Sequence, residues 1–169
     1  MKTGITAVEV ARGKALRSVP LRNALKEWFR QKGRCPDPEI TNFGEWVERQ
    51  ISYLARTIKN RRLATADNLV KALAVNAIGD PLALRCAKEA AEKGGFKTDT
   101  NCYVEDGLVN SSVWVKNMAK ERVEDMADKF REKGYEVDVW VDEEDETEIT
   151  VNATIGFGKY LGLQKKGGR

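Results

Sequence analysis

Apolar residues recur every three to four positions through the first half of the chain and every second position in parts of the second half. That change of period separates expected helices from expected strands. Leu21, Leu25, Trp28 and Phe29 form one apolar stripe behind Ser18 as a cap, with Pro20 in the first turn and Gly33 as the stop. Asn42 and Glu45 have capping-box spacing, and Val47, Ile51, Leu54 and Ile58 follow at helical intervals up to Arg61-Arg62. Thr65 opens a further helix carrying Leu69, Val70, Leu73 and Ile78 and ending at Gly79. Asp80-Pro81 caps another, which runs to Gly94-Gly95. A first helix is expected over roughly residues 7–17, weakened by Gly13.

Beyond residue 95 the pattern alternates. Residues 96–104 read as a strand ending at Asp106-Gly107. Asn110 or Ser111 then caps an expected helix whose stripe is Val115, Met118, Ala119, Val123, Met126 and Phe130, closed by Gly134. Tyr135, Val137, Val139 and Val141 alternate with Glu136, Asp138, Trp140 and Asp142. An acidic turn follows, and Ile149, Val151 and Ala153 return as its partner strand, so the pair is a hairpin. The expected fold class is α+β: an N-terminal helical, bundle-like region of four to five helices, packed with or next to a small C-terminal β-α-β-β sheet. If its first two strands are parallel, a right-handed crossover joins them.

Charge follows the same division. Residues 1–95 hold 18 Lys+Arg against 10 Asp+Glu, residues 96–158 hold 7 against 16, and residues 159–169 add 4 basic residues, within a chain of net charge +3. The domains are therefore expected as a basic helical region (1–95), an acidic β-α-β-β region (96–158) and a basic glycine-rich tail (159–169).

The inventory of reactive side chains is short. Histidine is absent from all 169 residues, which removes imidazole-based nucleophile systems, proton shuttles and metal sites. Cys35, Cys86 and Cys102 are odd in number and widely spaced, neither a disulfide framework nor a zinc pattern. They read as reduced thiols, so the expected location is cytoplasmic, intracellular and reducing, with a virion as the alternative. No apolar run reaches the roughly 18 residues of a bilayer span, and the first residues lead into no signal-peptide core. Residues 156–162 are glycine-rich but match neither dinucleotide nor P-loop spacing, and read as a loosened tail. The chain is expected to act by binding, as no enzyme and with no cofactor or metal.

Three kinds of binding remain. Nucleic acid leads, through Arg30, Lys32 and Arg34 at one helix end, Arg56, Lys59, Arg61 and Arg62 at the next, and Lys165, Lys166 and Arg169 in the tail. Trp28-Phe29 ahead of a basic run superficially resembles a homeodomain recognition helix. Gln31 and Gly33 stand where that family carries Asn and Arg, so the pair is read as core. The second kind is a homo-oligomeric structural or assembly protein, such as a multi-copy virion component, held by opposite-charge head-to-tail contacts. The third is an inhibitor whose acidic hairpin mimics nucleic acid and occupies a basic protein partner. Its contact set is Asp138, Trp140, Asp142, Glu143, Glu144, Asp145 and Glu146. Trp140 itself is expected to lie under the basic helices rather than in solvent, and the acidic turn is read as a solvated tip. No membrane partner is expected.

Overall fold

The computed structural model describes residues 6–32 and 43–167, with backbone alone for 28–32 and 166–167. Seven helices and four strands occur among them: α1 (Ala7–Leu16), α2 (Val19–Lys32), α3 (Phe43–Thr57), α4 (Ala66–Ala77), α5 (Pro81–Gly94), β1 (Lys97–Glu105), β2 (Leu108–Lys116), α6 (Lys120–Glu132), β3 (Glu136–Val141), β4 (Glu148–Gly156) and α7 (Phe157–Gly167). The α+β class, with a helical N-terminal region and a C-terminal four-stranded sheet, is as the periodicity indicates. Two compact units divide the chain after Ile78, earlier than the expected boundary at residue 95. Unit 1 is Met1–Ile78 with Glu105–Gly107, and unit 2 is Gly79–Val104 with Leu108–Arg169.

In unit 1, α1 packs against α3 and α4, α3 against α4, and α2 against α4. The Ser18 hydroxyl accepts from Leu21 N at 3.3 Å, the cap that the sequence signals, and Leu21 and Leu25 are buried behind it. Trp46, Val47, Ile51 and Leu54 form the buried face of α3, and Ile58, one residue past its end, is buried with them. Thr65 caps α4 by accepting from Asn68 N at 3.3 Å. Leu69 and Leu73 are buried there as expected, but Ala72 and Val75 complete the face, while Val70 is half-buried and Ile78 is 43% exposed. Ile78 follows the last helical residue, so the turn carries it away from the stripe. The Asn42 cap, Gly33 and Cys35 lie outside the described residues, as do the side chains of Trp28 and Phe29.

In unit 2 the sheet order is β1-β2-β4-β3. β2 runs antiparallel to β4 from Leu108↔Gly156 to Lys116↔Glu148, and β3 runs antiparallel to β4 from Glu136↔Thr154 to Val141↔Ile149. β2 and β3 are thus parallel to each other with β4 between them, and α6 is the crossover that joins them. The helix expected from Asn110 or Ser111 starts only at Lys120; residues 108–116 are a strand, and the unit is α-β-β-α-β-β-α, from α5 to α7.

The turn explains the difference. Asp106 and Gly107 both have positive φ, 51° and 76°, the two-residue geometry that closes a tight antiparallel hairpin. Val109, Ser111, Val113 and Val115 then alternate inward, and β-branched residues favour the pleat over a helix. Val115 and Met118 are buried, yet only Val123, Met126 and Phe130, joined by Ala127, belong to the stripe of α6; Ala119 is its exposed N-cap. The tail also differs. Phe157, Tyr160 and Leu161 are buried in α7, which packs on β2 and β4, so the glycines at 156, 158 and 162 do not leave a loose segment there.

One polar cluster lies in the core of unit 2. Asp80, fully buried, caps α5 by accepting from Leu82 N at 3.0 Å, and also accepts from the hydroxyls of Ser111 at 2.8 Å and Tyr135 at 2.6 Å. It ties α5 to β2 and to the residue preceding β3. Burial, with Asp80 alongside, pushes the Tyr135 phenol far above its ordinary value, and the same two causes raise Tyr160.

Candidate nucleic-acid and protein-contact surfaces

Arg56 lies in the last turn of α3, where cations are favoured by the helix dipole. Asn60 then accepts from Arg62 N at 3.0 Å, and Leu63 N donates to Asn60 O at 2.9 Å, which folds residues 60–63 into a tight turn. Arg56, Lys59, Arg61 and Arg62 are all exposed, and none has a carboxylate partner within 4.0 Å among the described residues. Two other cations of unit 1 differ: Arg12 pairs with Glu48 at 3.5 Å and Lys14 with Asp67. Tyr53, one turn before Arg56, donates to Glu105 Oε1 at 3.4 Å. Desolvation and that carboxylate push its phenol up, and Arg56 acts in the opposite sense.

The remaining predicted basic residues are scattered. Arg30 and Lys32 lie in the last turns of α2 and Lys166 in α7, with side chains outside the description, and Arg34 and Arg169 lie outside the described residues. Lys165 is exposed on α7, in unit 2.

Three helices, α5, α6 and α7, cover one face of the sheet, where Val109, Val113, Val151 and Ala153 are buried. The opposite face carries no helix of this unit. Trp140, expected under cover, is 59% exposed. It falls on this open face because alternation sends Val137, Val139 and Val141 to the helix side. Trp114 and Trp140 both stand opposite Thr150, one on each neighbouring strand. Ser112, Asn152 and Asp138 form the next row, and Ser112 donates to Asn152 Oδ1 at 2.8 Å. The aromatic pair across the row needed the β2–β4 register to be found; Trp114 alone gave no signal while its segment read as helical.

The acidic turn is partly spent on its own geometry. Asp142 Oδ1 accepts from Glu144 N at 2.8 Å and Asp145 N at 3.0 Å. Asp145 accepts from the Thr147 hydroxyl at 2.6 Å and Thr147 N at 3.0 Å and pairs with Lys116 at 3.6 Å. Those Thr147 bonds hold the Asp145 carboxyl below its ordinary range. Glu143, Glu144 and Glu146 are exposed.

Two thiols, Cys86 and Cys102, are buried and free, and burial pushes both up, away from the reactive thiolate. A groove of about 200 Å³ in unit 2 is lined by Cys86, Phe96, Met118, Arg122, Met126 and Lys129 among others, with the Arg122 guanidinium 5.6 Å from the Phe96 ring centre. Among the described residues no cluster of His, Cys, Asp or Glu could hold a metal ion, and no helix is long and apolar enough to cross a membrane. Comparison with protein families, curated proteins and solved structures finds no match to this chain.

Proposed function

We propose that the chain is a non-catalytic binding protein that associates with nucleic acid through Arg56, Lys59, Arg61 and Arg62. One observation carries this reading: these four cations share one helix end and its turn, exposed and without carboxylate partners among the described residues, whereas Arg12 and Lys14 in the same unit are paired. Phosphate contact requires little more than clustered, unpaired Lys and Arg, and each phosphate neutralised releases counterions. The exposed side of α4 presents Asp67 and Lys71, with no basic stripe, so backbone contact without base reading is the mode it fits. Arg30, Lys32, Arg34, Lys165, Lys166 and Arg169 are auxiliary candidates.

Fluorescence anisotropy with labelled duplex DNA and duplex RNA tests it. If all four side chains touch phosphates, the log–log salt slope on DNA is about −3 to −4, and each Arg→Gln change reduces it by roughly 1. Binding by the quadruple Gln variant at the parental affinity, or no binding by the parent at low salt, overturns the reading.

Charge distribution favours a second reading. Unit 1 contains 15 Lys+Arg against 9 Asp+Glu and unit 2 contains 14 against 17, opposite net signs within one chain. Such a chain suits head-to-tail self-assembly, as in a multi-copy shell or virion component in a reducing compartment. Light scattering that gives several subunits at low salt and one at high salt supports assembly.

A further inference from the structure

β3 is an edge strand, paired on one side with β4 and on the other with no described strand. Its open-face side chains are Glu136, Asp138 and Trp140, all exposed, and neither carboxylate has an ion-pair partner among the described residues. On its helix-facing side, Val141 is 47% exposed, so the cover given by α6 ends before the strand does. A free edge with acidic and aromatic residues on one side and an uncovered apolar residue on the other matches the requirements of an added strand. Main-chain groups supply affinity, and alternate side chains supply specificity.

We propose that β3 is a docking edge for an extended segment of a partner protein in which arginines alternate with β-branched apolar residues. Charge and period select this occupant. A strand laid beside β3 sets every second side chain in the rows of Glu136, Asp138 and Trp140. Arginine suits those rows, because its guanidinium stacks on an indole face while forking to a carboxylate. The intervening residues fall on the side of Val141, where apolar contact is available. Trp114 lies about 10 Å from Trp140, two strand spacings away, and gives a second stacking surface within reach of a long side chain. The one lysine on this side of β2, Lys116, is already paired with Asp145 at 3.6 Å and Glu148 at 4.0 Å, so it does not offset the two free carboxylates.

The test uses the full chain and a fluorescein-labelled RVRVRVR peptide, with its block isomer RRRRVVV and the acidic EVEVEVE as controls. The alternating peptide is expected to bind at least ~10-fold more tightly than the block isomer, with Trp140→Ala costing ~10-fold. Glu136→Lys with Asp138→Lys should transfer preference to EVEVEVE, and the shifted backbone amide resonances should centre on residues 136–141. Trp140 is exposed, so unchanged far-UV circular dichroism is expected for its variant. Equal binding of the two basic isomers, or no loss with Trp140→Ala, overturns the proposal. So does a single-stranded oligonucleotide shifting the 136–141 resonances when the peptide does not, or a dimer that Trp140→Asp dissociates. Those last two results would assign the edge to nucleic acid or to a second copy.

Discussion

Asp80 is fully buried, and each of its contacts must replace a hydrogen bond to water. Ser111, Tyr135 and Leu82 N supply three donors, two of them hydroxyls from residues 31 and 55 positions away in sequence. Removing the carboxylate strands both hydroxyls, so Asp80→Ala should cost ~3–5 kcal/mol in urea unfolding. Tyr135→Phe removes one charge-assisted bond and should cost ~1.5–3 kcal/mol. The tyrosines also set a pH limit. Tyr135 and Tyr160 have phenols raised above the ordinary 10.0, so the unfolded chain loses those protons first. Their contribution is complete below about pH 10 and declines above it as the unfolded state ionises while the folded state stays neutral. Stability measured from pH 8 to 11 should fall at the alkaline end, and Tyr135→Phe should flatten part of that fall. A parent curve that stays level to pH 11 contradicts the assignment.

At the scale of elements, local chemistry was legible wherever caps and period agreed. Ser18, Thr65 and Asp80 cap the helices they were expected to cap, and the β3–β4 hairpin has the predicted sidedness. β2 failed because two patterns overlap. Val115 and Met118 continue in apparent helical step with Val123 and Met126, whereas Val109, Val113 and Val115 alternate as a strand. Asp106-Gly107 was the deciding signal, since positive φ at both positions closes the hairpin before a helix can start. Gly107→Ala should therefore destabilise by ~1 kcal/mol, the usual cost of a left-handed conformation with a Cβ, with no packing clash to add to it. Gly94→Ala should cost more. A Cβ there would lie 2.3 Å from the Phe96 ring, so the ring or the end of α5 must shift. Paired urea titrations separate the two effects. For the candidate sites, charge type could be read from sequence but exposure could not. Arg56 and Arg62 required the turn at Asn60, and Trp140 required knowledge of which sheet face the helices take.

At the scale of the whole molecule, each unit owns a core, and two of the three cysteines sit in only one of them. Cys86 and Cys102 belong to unit 2 and are buried, Cys86 on α5 and Cys102 on β1. In a Cys35→Ser background, their reaction with a thiol reagent reports the opening of unit 2 alone. Thiols react only when a structural opening exposes them, and burial has also raised both pKa values in the folded state, which suppresses reaction from the closed form. Labelling should therefore be slow, and both thiols should react at a shared rate if α5 and β1 open together. Asp80 couples α5 to β2 and Tyr135, so Asp80→Ala should accelerate both reactions by the same factor. That factor should match its equilibrium cost, about 10-fold for each 1.4 kcal/mol, when the whole of unit 2 opens cooperatively. Faster labelling of Cys102 alone would mean that β1 detaches while α5 stays docked. Acceleration well short of the equilibrium loss would mean that the thiols react through local openings that leave the Asp80 cluster intact.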